Sequence, residues 1–397
     1  MSALVYQLTD SPLAVGAVTA VLRFGWLAPQ LFVGFLAERR ASSMRYYAVG
    51  GYGRATCLLA LAVTLFAGSG WGNAMLATAV LVLWTAYAFV SGIVAVPYND
   101  IVARSVASER RSRLLATRFL GGGVLALGLA GLADALLGRM PFPRSYAALI
   151  ALACGLMLVS ATVFVLMGER AGSRADRAST AFTDYLRQGV RTLRVDRRFR
   201  LLVWAQWCGG AVLMALPFYV VQAAESGFAM ADVAWLLGAQ TAGALASNPL
   251  WGWWGDRLGK SSLLGAVALG RMVPPAMILL SLALAELTAP VLFAGYVAVF
   301  FVLGALANGL TIAVIGYLME ISPDDRRPSY SGYFNALTAP AFLFPLLGGV
   351  ISSLTDLWVV FAFSLAAAAG QRVLVARAAE VGPTPARAGD RDRKTAR

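Results

Sequence analysis

The chain has 397 residues, 59% of them hydrophobic and 13% charged, and carries a formal net charge of +13. A mean hydropathy of +0.70 excludes a soluble domain of ordinary composition and defines an all-α, polytopic membrane protein. The positive charge does not point to nucleic acid, because the basic residues fall in short clusters between apolar runs, the pattern of cytoplasmic loops. A bilayer-crossing helix takes about 20 apolar residues. Eleven stretches meet that need, at 12–37, 46–67, 75–98, 114–137, 146–167, 199–221, 231–253, 261–284, 289–318, 330–353 and 357–377. Arg39, Arg40, Arg45, Arg104, Arg110, Arg111, Arg113, Arg257, Lys260, Arg326 and Arg327 then fall on one side with the basic linker, which puts the C-terminus in the cytoplasm and the N-terminus outside.

Between the two groups of spans, residues 168–198 are rich in Arg, Asp and Ser. Within them Phe182, Tyr185, Leu186, Val190 and Leu193 keep helical spacing, which predicts an amphipathic helix on the cytoplasmic membrane surface. A spacer explains this segment; a regulatory or partner-binding role is the other reading. The tail, 378–397, reads as a disordered basic cytoplasmic extension. Cys57, Cys154 and Cys208 lie in apolar runs, so they read as buried thiols, and the chain has no histidine. No metal site, cofactor or nucleotide loop is expected, nor an enzyme, and the N-terminus shows no cleavable signal peptide.

The polar turn Gly252-Trp253-Trp254-Gly255-Asp256-Arg257-Leu258-Gly259-Lys260 joins two apolar runs, and Gly34-Phe35-Leu36-Ala37-Glu38-Arg39-Arg40 is a degraded copy of it. Glycine lets helices approach, a carboxylate meets the positive end of a neighbouring helix, and the basic residues stay in water. A shift of roughly 217 residues superposes the copies and also matches Gly53-Arg54 with Gly270-Arg271. The chain thus reads as a duplication, 1–167 with five spans and 199–377 with six, the first of six missing from the first half. Ala3 to Leu8 read as the outer end of that first helix.

The pattern G-x-x-x-D-R-x-G-[RK] at 252–260 resembles the signature loop of the major facilitator superfamily. The resemblance implies two pseudo-symmetric bundles in a cell membrane, working as a secondary transporter by alternating access; the chain reads as a monomer, and coupling to a proton or ion is left open. A non-transporting receptor or scaffold of the same fold, or a truncated inactive chain, fits the same sequence. The loop residues implied are Gly34, Glu38, Arg39, Gly252, Asp256, Arg257, Gly259 and Lys260. Asp100, Arg104 and Glu320 join them as a candidate gate, because Arg104 and Glu320 match under the repeat with opposite charge; the alternative is ordinary charges that fix topology.

Few groups inside the hydrocarbon carry chemistry. Arg23 stands about eleven residues into its span, or roughly 16 Å of helix. A charge there is costly, so it either binds an anionic group or pairs with an acid. Arg54 and Arg271 read as structural partners of the loop acids Glu38 and Asp256. Uncharged polar groups on the spans that line the superfamily's cavity supply the remaining substrate candidates: Gln30, Tyr87, Ser91, Trp204, Gln206, Trp207, Gln240, Thr241, Asn308, Thr311 and Asn335. Part of this set serves only to join helices. Its aromatic and amide character suits an organic or drug-like solute rather than a bare metal ion. Gly121, Gly122, Gly123, Gly128 and Gly131 resemble the glycine-rich fifth helix of the superfamily's antiporters, without its Gly-Pro pair, and close helix packing is the expected reason for them.

Overall fold

A computed structural model describes residues 1–9, 12–38, 42–169, 181–228, 230–284 and 288–381. The described residues form helices and 3-10 turns and no strand. In chain order these are α1 (Ser2–Thr9), α2 (Pro12–Glu38), α3 (Met44–Ala67), α4 (Asn73–Ser105), α5 (Ser108–Arg139), α6 (Arg144–Leu166), α7 (Phe182–Val195), α8 (Arg197–Leu213) and α9 (Phe218–Glu225). There follow α10 (Met230–Ala246), α11 (Asn248–Arg257), α12 (Lys260–Gly270), α13 (Val273–Ala283), α14 (Ala289–Ile321), α15 (Arg327–Thr338), α16 (Phe344–Leu354) and α17 (Leu357–Glu380). Eight helical stretches among the described residues are long and apolar enough to cross a membrane.

The helices fall into two compact units, each of which takes a short segment from the other half of the sequence. Unit 1 holds Met1–Arg111, Leu120–Gly189 and Ser322–Ala339. Unit 2 holds Ser112–Phe119, Val190–Ile321 and Pro340–Arg397. The early turns of α5 thus pack with the second half of the chain, and α15 packs with the first.

Unit 1 is built on continuous helices. Leu4, Val5 and Leu8 of α1 join Leu58, Leu61, Leu65, Leu76, Val80 and Ile150 in one buried apolar cluster. Helix α2 crosses α4 where Gly25 faces Ala88 and Gly92 faces the carbonyl of Trp26, so that a Cβ on Gly92 would lie 2.6 Å from that oxygen. Unit 2 repeats the arrangement: Gly243 of α10 and Gly304 of α14 meet the backbones of Phe301 and Gln240 with no room for a side chain. Apolar side chains gain little from association in lipid, so close backbone approach is what joins such helices.

Interrupted helices distinguish unit 2. Spans 199–221, 231–253 and 261–284 each become a helix pair, α8/α9, α10/α11 and α12/α13, and span 330–353 becomes α15 and α16 joined by a 3-10 turn at Ala339–Leu343. Pro217, Pro249, Pro274 with Pro275, and Pro340 mark these breaks, where proline removes an amide donor. Near the first break the backbone closes on itself, Leu216 N donating to Leu213 O at 3.1 Å, and Ser364 Oγ adds a donor to Val212 O at 3.1 Å. Arg271 is 6% exposed and donates Nη2 to Gly209 O at 2.9 Å and Nη1 to Gln371 Oε1 at 2.7 Å. The sequence places Arg271 beside the loop acid Asp256. Instead it stands a full helix, α12, away from that loop and ties α8 to α17.

Two further expectations change. Gly121, Gly122 and Gly128 of α5 would meet nothing within 4 Å if given a Cβ, so close packing does not account for them. In α7, Tyr185 is buried while Leu186 and Val190 are exposed, so the helix packs a narrower face on protein than its apolar stripe suggests. The tail beyond 381 lies outside the described residues.

Candidate functional site: the paired loops and the polar helix faces

In unit 2 the loop is organised by one carboxylate. The Asp256 side chain is 3% exposed, and its two oxygens accept the backbone amides of Ser112 and Arg113, each at 2.9 Å, in the early turns of α5. Lys260 Nζ donates to Asp256 Oδ1 at 2.8 Å and to Gly255 O at 2.7 Å. Gly252 is needed for this approach, since its Cβ would lie 2.9 Å from that of Ala116, and Gly255 faces the Ser112 side chain with no space between. Gly259 turns the chain at φ +91°, where a side chain is strained.

Lys260 differs from its expected place in water: its side chain is 3% exposed. Two neutral amides leave the buried carboxylate its full charge, and an ammonium within hydrogen-bonding distance compensates it where water cannot. Arg257 does remain exposed.

In unit 1 the first copy is smaller but carries more charge around it. Gly34 meets α15 and α7: a Cβ there would lie 2.9 Å from Pro328 O and 2.8 Å from the Tyr185 hydroxyl. Gly34 therefore touches the start of α15 as Gly252 touches the start of α5. Arg39 lies outside the described residues, and the side chains of Glu38 and Arg23 do as well.

Asp100, 1% exposed, accepts from Ser43 Oγ and Arg104 Nη2, both at 2.5 Å. Arg104 forms an ion pair with Asp100, one turn back on its own helix. Glu320 is half-buried at the end of α14. Arg327, at the first turn of α15, is buried, donates to Asp324, and feels the charges of Asp100 and Arg104. Glu169 Oε2 accepts the amides of Ser43 and Met44 at 3.1 and 3.0 Å, which caps the N-terminus of α3. Arg111 caps the C-terminal end of α4 by donating to Ala103 O and Val106 O at 2.5 and 2.9 Å.

The polar candidates divide into groups committed to helix joining and groups held open. Gln30 is fully buried: its Nε2 donates to Trp26 O at 2.7 Å, and its Oε1 accepts from Asn335 Nδ2, which joins α2 to α15. Asn308 Nδ2 donates to Ala244 O at 3.1 Å, a link from α14 to α10. Thr241 and Thr311 donate to the carbonyls of Leu237 and Ala307 on their own helices, at 3.0 and 3.2 Å.

Of the rest, Tyr87 is half-buried and stacks on Trp84 at 4.9 Å. Ser91 is buried, with its hydroxyl unbonded among the described residues. Trp204 is 51% exposed, with Trp207 at 6.3 Å and Phe344 beyond Trp207 at 6.0 Å, an aromatic row where α8 approaches α16. Gln206 and Gln240 are half-buried.

The sequence does not single out Ser43, Ser112, Glu169 or Gln371, all of which complete these networks. Their partners stand up to 144 residues away in sequence, as for Ser112 and Asp256, so no local spacing announces them.

Helices long and apolar enough to cross a membrane, with glycine-packed crossings and charged loops, fit a multi-pass membrane protein. Residues 222–395 match the family model described as Major Facilitator Superfamily. The fold agrees over nearly the whole chain. A bacterial homologue of the iron transporter ferroportin, in its outward-facing state, superposes with a TM-score of 0.76 at 16% identity, covering 95% of this chain and 93% of that one. The E. coli fucose:proton symporter superposes with a TM-score of 0.69 at 15% identity, covering 95% and 94%. No curated protein sequence matches the chain. Both of these solved structures are transporters, and the chain shares their fold.

Proposed function

We propose that the protein is a secondary transporter that carries a small organic or drug-like solute across a cell membrane by alternating access, with the charged loops on the cytoplasmic side. The observation that carries this reading is the Asp256 carboxylate on the amides of Ser112 and Arg113. It fastens the second-half loop to a first-half helix through contacts that a rocking motion must break and remake. Gly34 against Pro328 is the matching contact at the other loop.

Trp204, Trp207, Gln206 and Gln240 supply aromatic surface and amides, which suit an organic solute. The described residues hold no group of three or more His, Cys, Asp or Glu side chains fit for a metal. Arg23 stands in the middle of α2, where a charge is costly unless it meets an anion or an acid, so acidic solutes head the panel to be tested. The test is uptake and counterflow in vesicles containing the purified protein, over a panel of acidic, neutral and cationic organic solutes with and without a pH gradient. Saturable movement of at least one class, lost in Asp256→Asn, is expected; absence of movement for every class, from a protein whose labelled helices stay fixed, points to a receptor or scaffold.

A further inference from the structure

We infer that α7 is a latch responsive to anionic lipid: its inner face locks α2 to α15, and its outer face binds the anionic surface of the membrane. At about 100° per residue, Tyr185, Gly189 and Thr192 share one sector of α7, and all three are buried. Leu186 and Val190 occupy the neighbouring sector and are 38% and 50% exposed. Arg187, Arg191 and Arg194 lie opposite the buried sector and are exposed, the first with 83% of its side chain in the open.

The inner face is specific. Phe35 of α2 meets Phe182 and Tyr185 at 5.0 and 5.2 Å, and Tyr185 meets Tyr333 of α15 at 4.7 Å. Tyr333 donates its hydroxyl to Tyr185 O at 2.8 Å, and a Cβ on Gly189 would come within 2.8 Å of the Tyr333 ring. One turn of α7 is therefore seated on a first-half helix and a second-half helix at once. Both seats cannot survive a separation of α2 from α15. The latch's consequence for transport rests on the alternating-access reading; the lipid contact does not.

The outer face commits to one occupant. An exposed apolar strip flanked by three guanidinium groups, with Asp184 the acid among them, matches a bilayer boundary in which Leu186 and Val190 enter the acyl edge and the arginines reach phosphate. A solvated helix gains nothing from keeping that strip apolar.

Hydrogen exchange of the full-length protein in nanodiscs tests this without a transport substrate. Discs of phosphatidylcholine are compared with discs that also contain phosphatidylglycerol. Three arginines at an anionic surface are expected to slow exchange across 182–195 by roughly 10- to 100-fold, with the effect fading in high salt, and to slow 327–338 alongside. The combined variant Arg187→Gln, Arg191→Gln, Arg194→Gln should fold, since these side chains are exposed, and should lose the dependence on lipid charge. Tyr185→Ala should keep the lipid effect on α7 and lose it at 327–338. Equal exchange in the two discs, or a lipid effect that survives the triple substitution, overturns the lipid contact. A 327–338 segment indifferent to lipid charge in the unsubstituted protein overturns the latch.

Discussion

Replacing Asp256 with asparagine changes one atom and removes the charge on which three donors converge. The carboxylate accepts two amides at 2.9 Å and the Lys260 ammonium at 2.8 Å, with both side chains of the ion pair 3% exposed. Removing one partner of a buried pair costs about 3–5 kcal/mol, because the other charge is left without compensation. Asparagine keeps one acceptor oxygen, and the released α5 amides can turn to carbonyls of their own helix, so the lower end, about 3 kcal/mol, applies. At about 1.4 kcal/mol per tenfold, contact between this loop and α5 should open roughly a hundred times more often. Hydrogen exchange of a peptide spanning Ser112 and Arg113 reads this directly. If their protection is unchanged in Asp256→Asn, the carboxylate does not hold α5 and the reasoning fails.

Adding Lys260→Met to Asp256→Asn removes the stranded ammonium, and the double variant should regain at least about 1 kcal/mol of the lost stability in the same exchange measurement. Arg271→Lys cannot reach both Gln371 and Gly209, so one hydrogen bond from a buried cation is lost; about 1.5–3 kcal/mol of destabilisation is expected, seen as a lower melting temperature in detergent. Gly243→Val forces a side chain into the Phe301 backbone and should reduce the yield of monodisperse protein, whereas Gly121→Val, which faces open space, should not. Arg23→Gln should raise the apparent KM for acidic solutes in vesicles while leaving neutral ones unchanged; equal losses for both would make Arg23 structural.

Much of the fold was legible because lipid imposes a simple rule. Apolar stretches of bilayer length become helices, and each stretch from 12–37 to 357–377 corresponds to α2 or to a later helix or helix pair. The breaks in the second half were not read, although Pro217, Pro249, Pro274 with Pro275, and Pro340 stand at them. Pro29 and Pro97 lie within continuous helices, so proline alone does not decide.

The loop glycines were legible for the same local reason that makes them necessary. Partners were harder. Lys260 looked like a solvated base until the burial of Asp256 was known, and Arg104 pairs with Asp100 one turn back on α4. Gln30 and Asn335, chosen as contacts for a solute, are bonded to each other across 305 residues of sequence, a pairing that no spacing could announce.

Under alternating access the loop 252–260 should hold α5 and release it during transport. Nitroxide labels at the exposed positions Trp253 and Leu114 report that distance by pulsed electron resonance in nanodiscs. Two distances are predicted, with the longer one gaining population in Asp256→Asn and on addition of a transported solute. A single short distance under every condition, Asp256→Asn included, would contradict it.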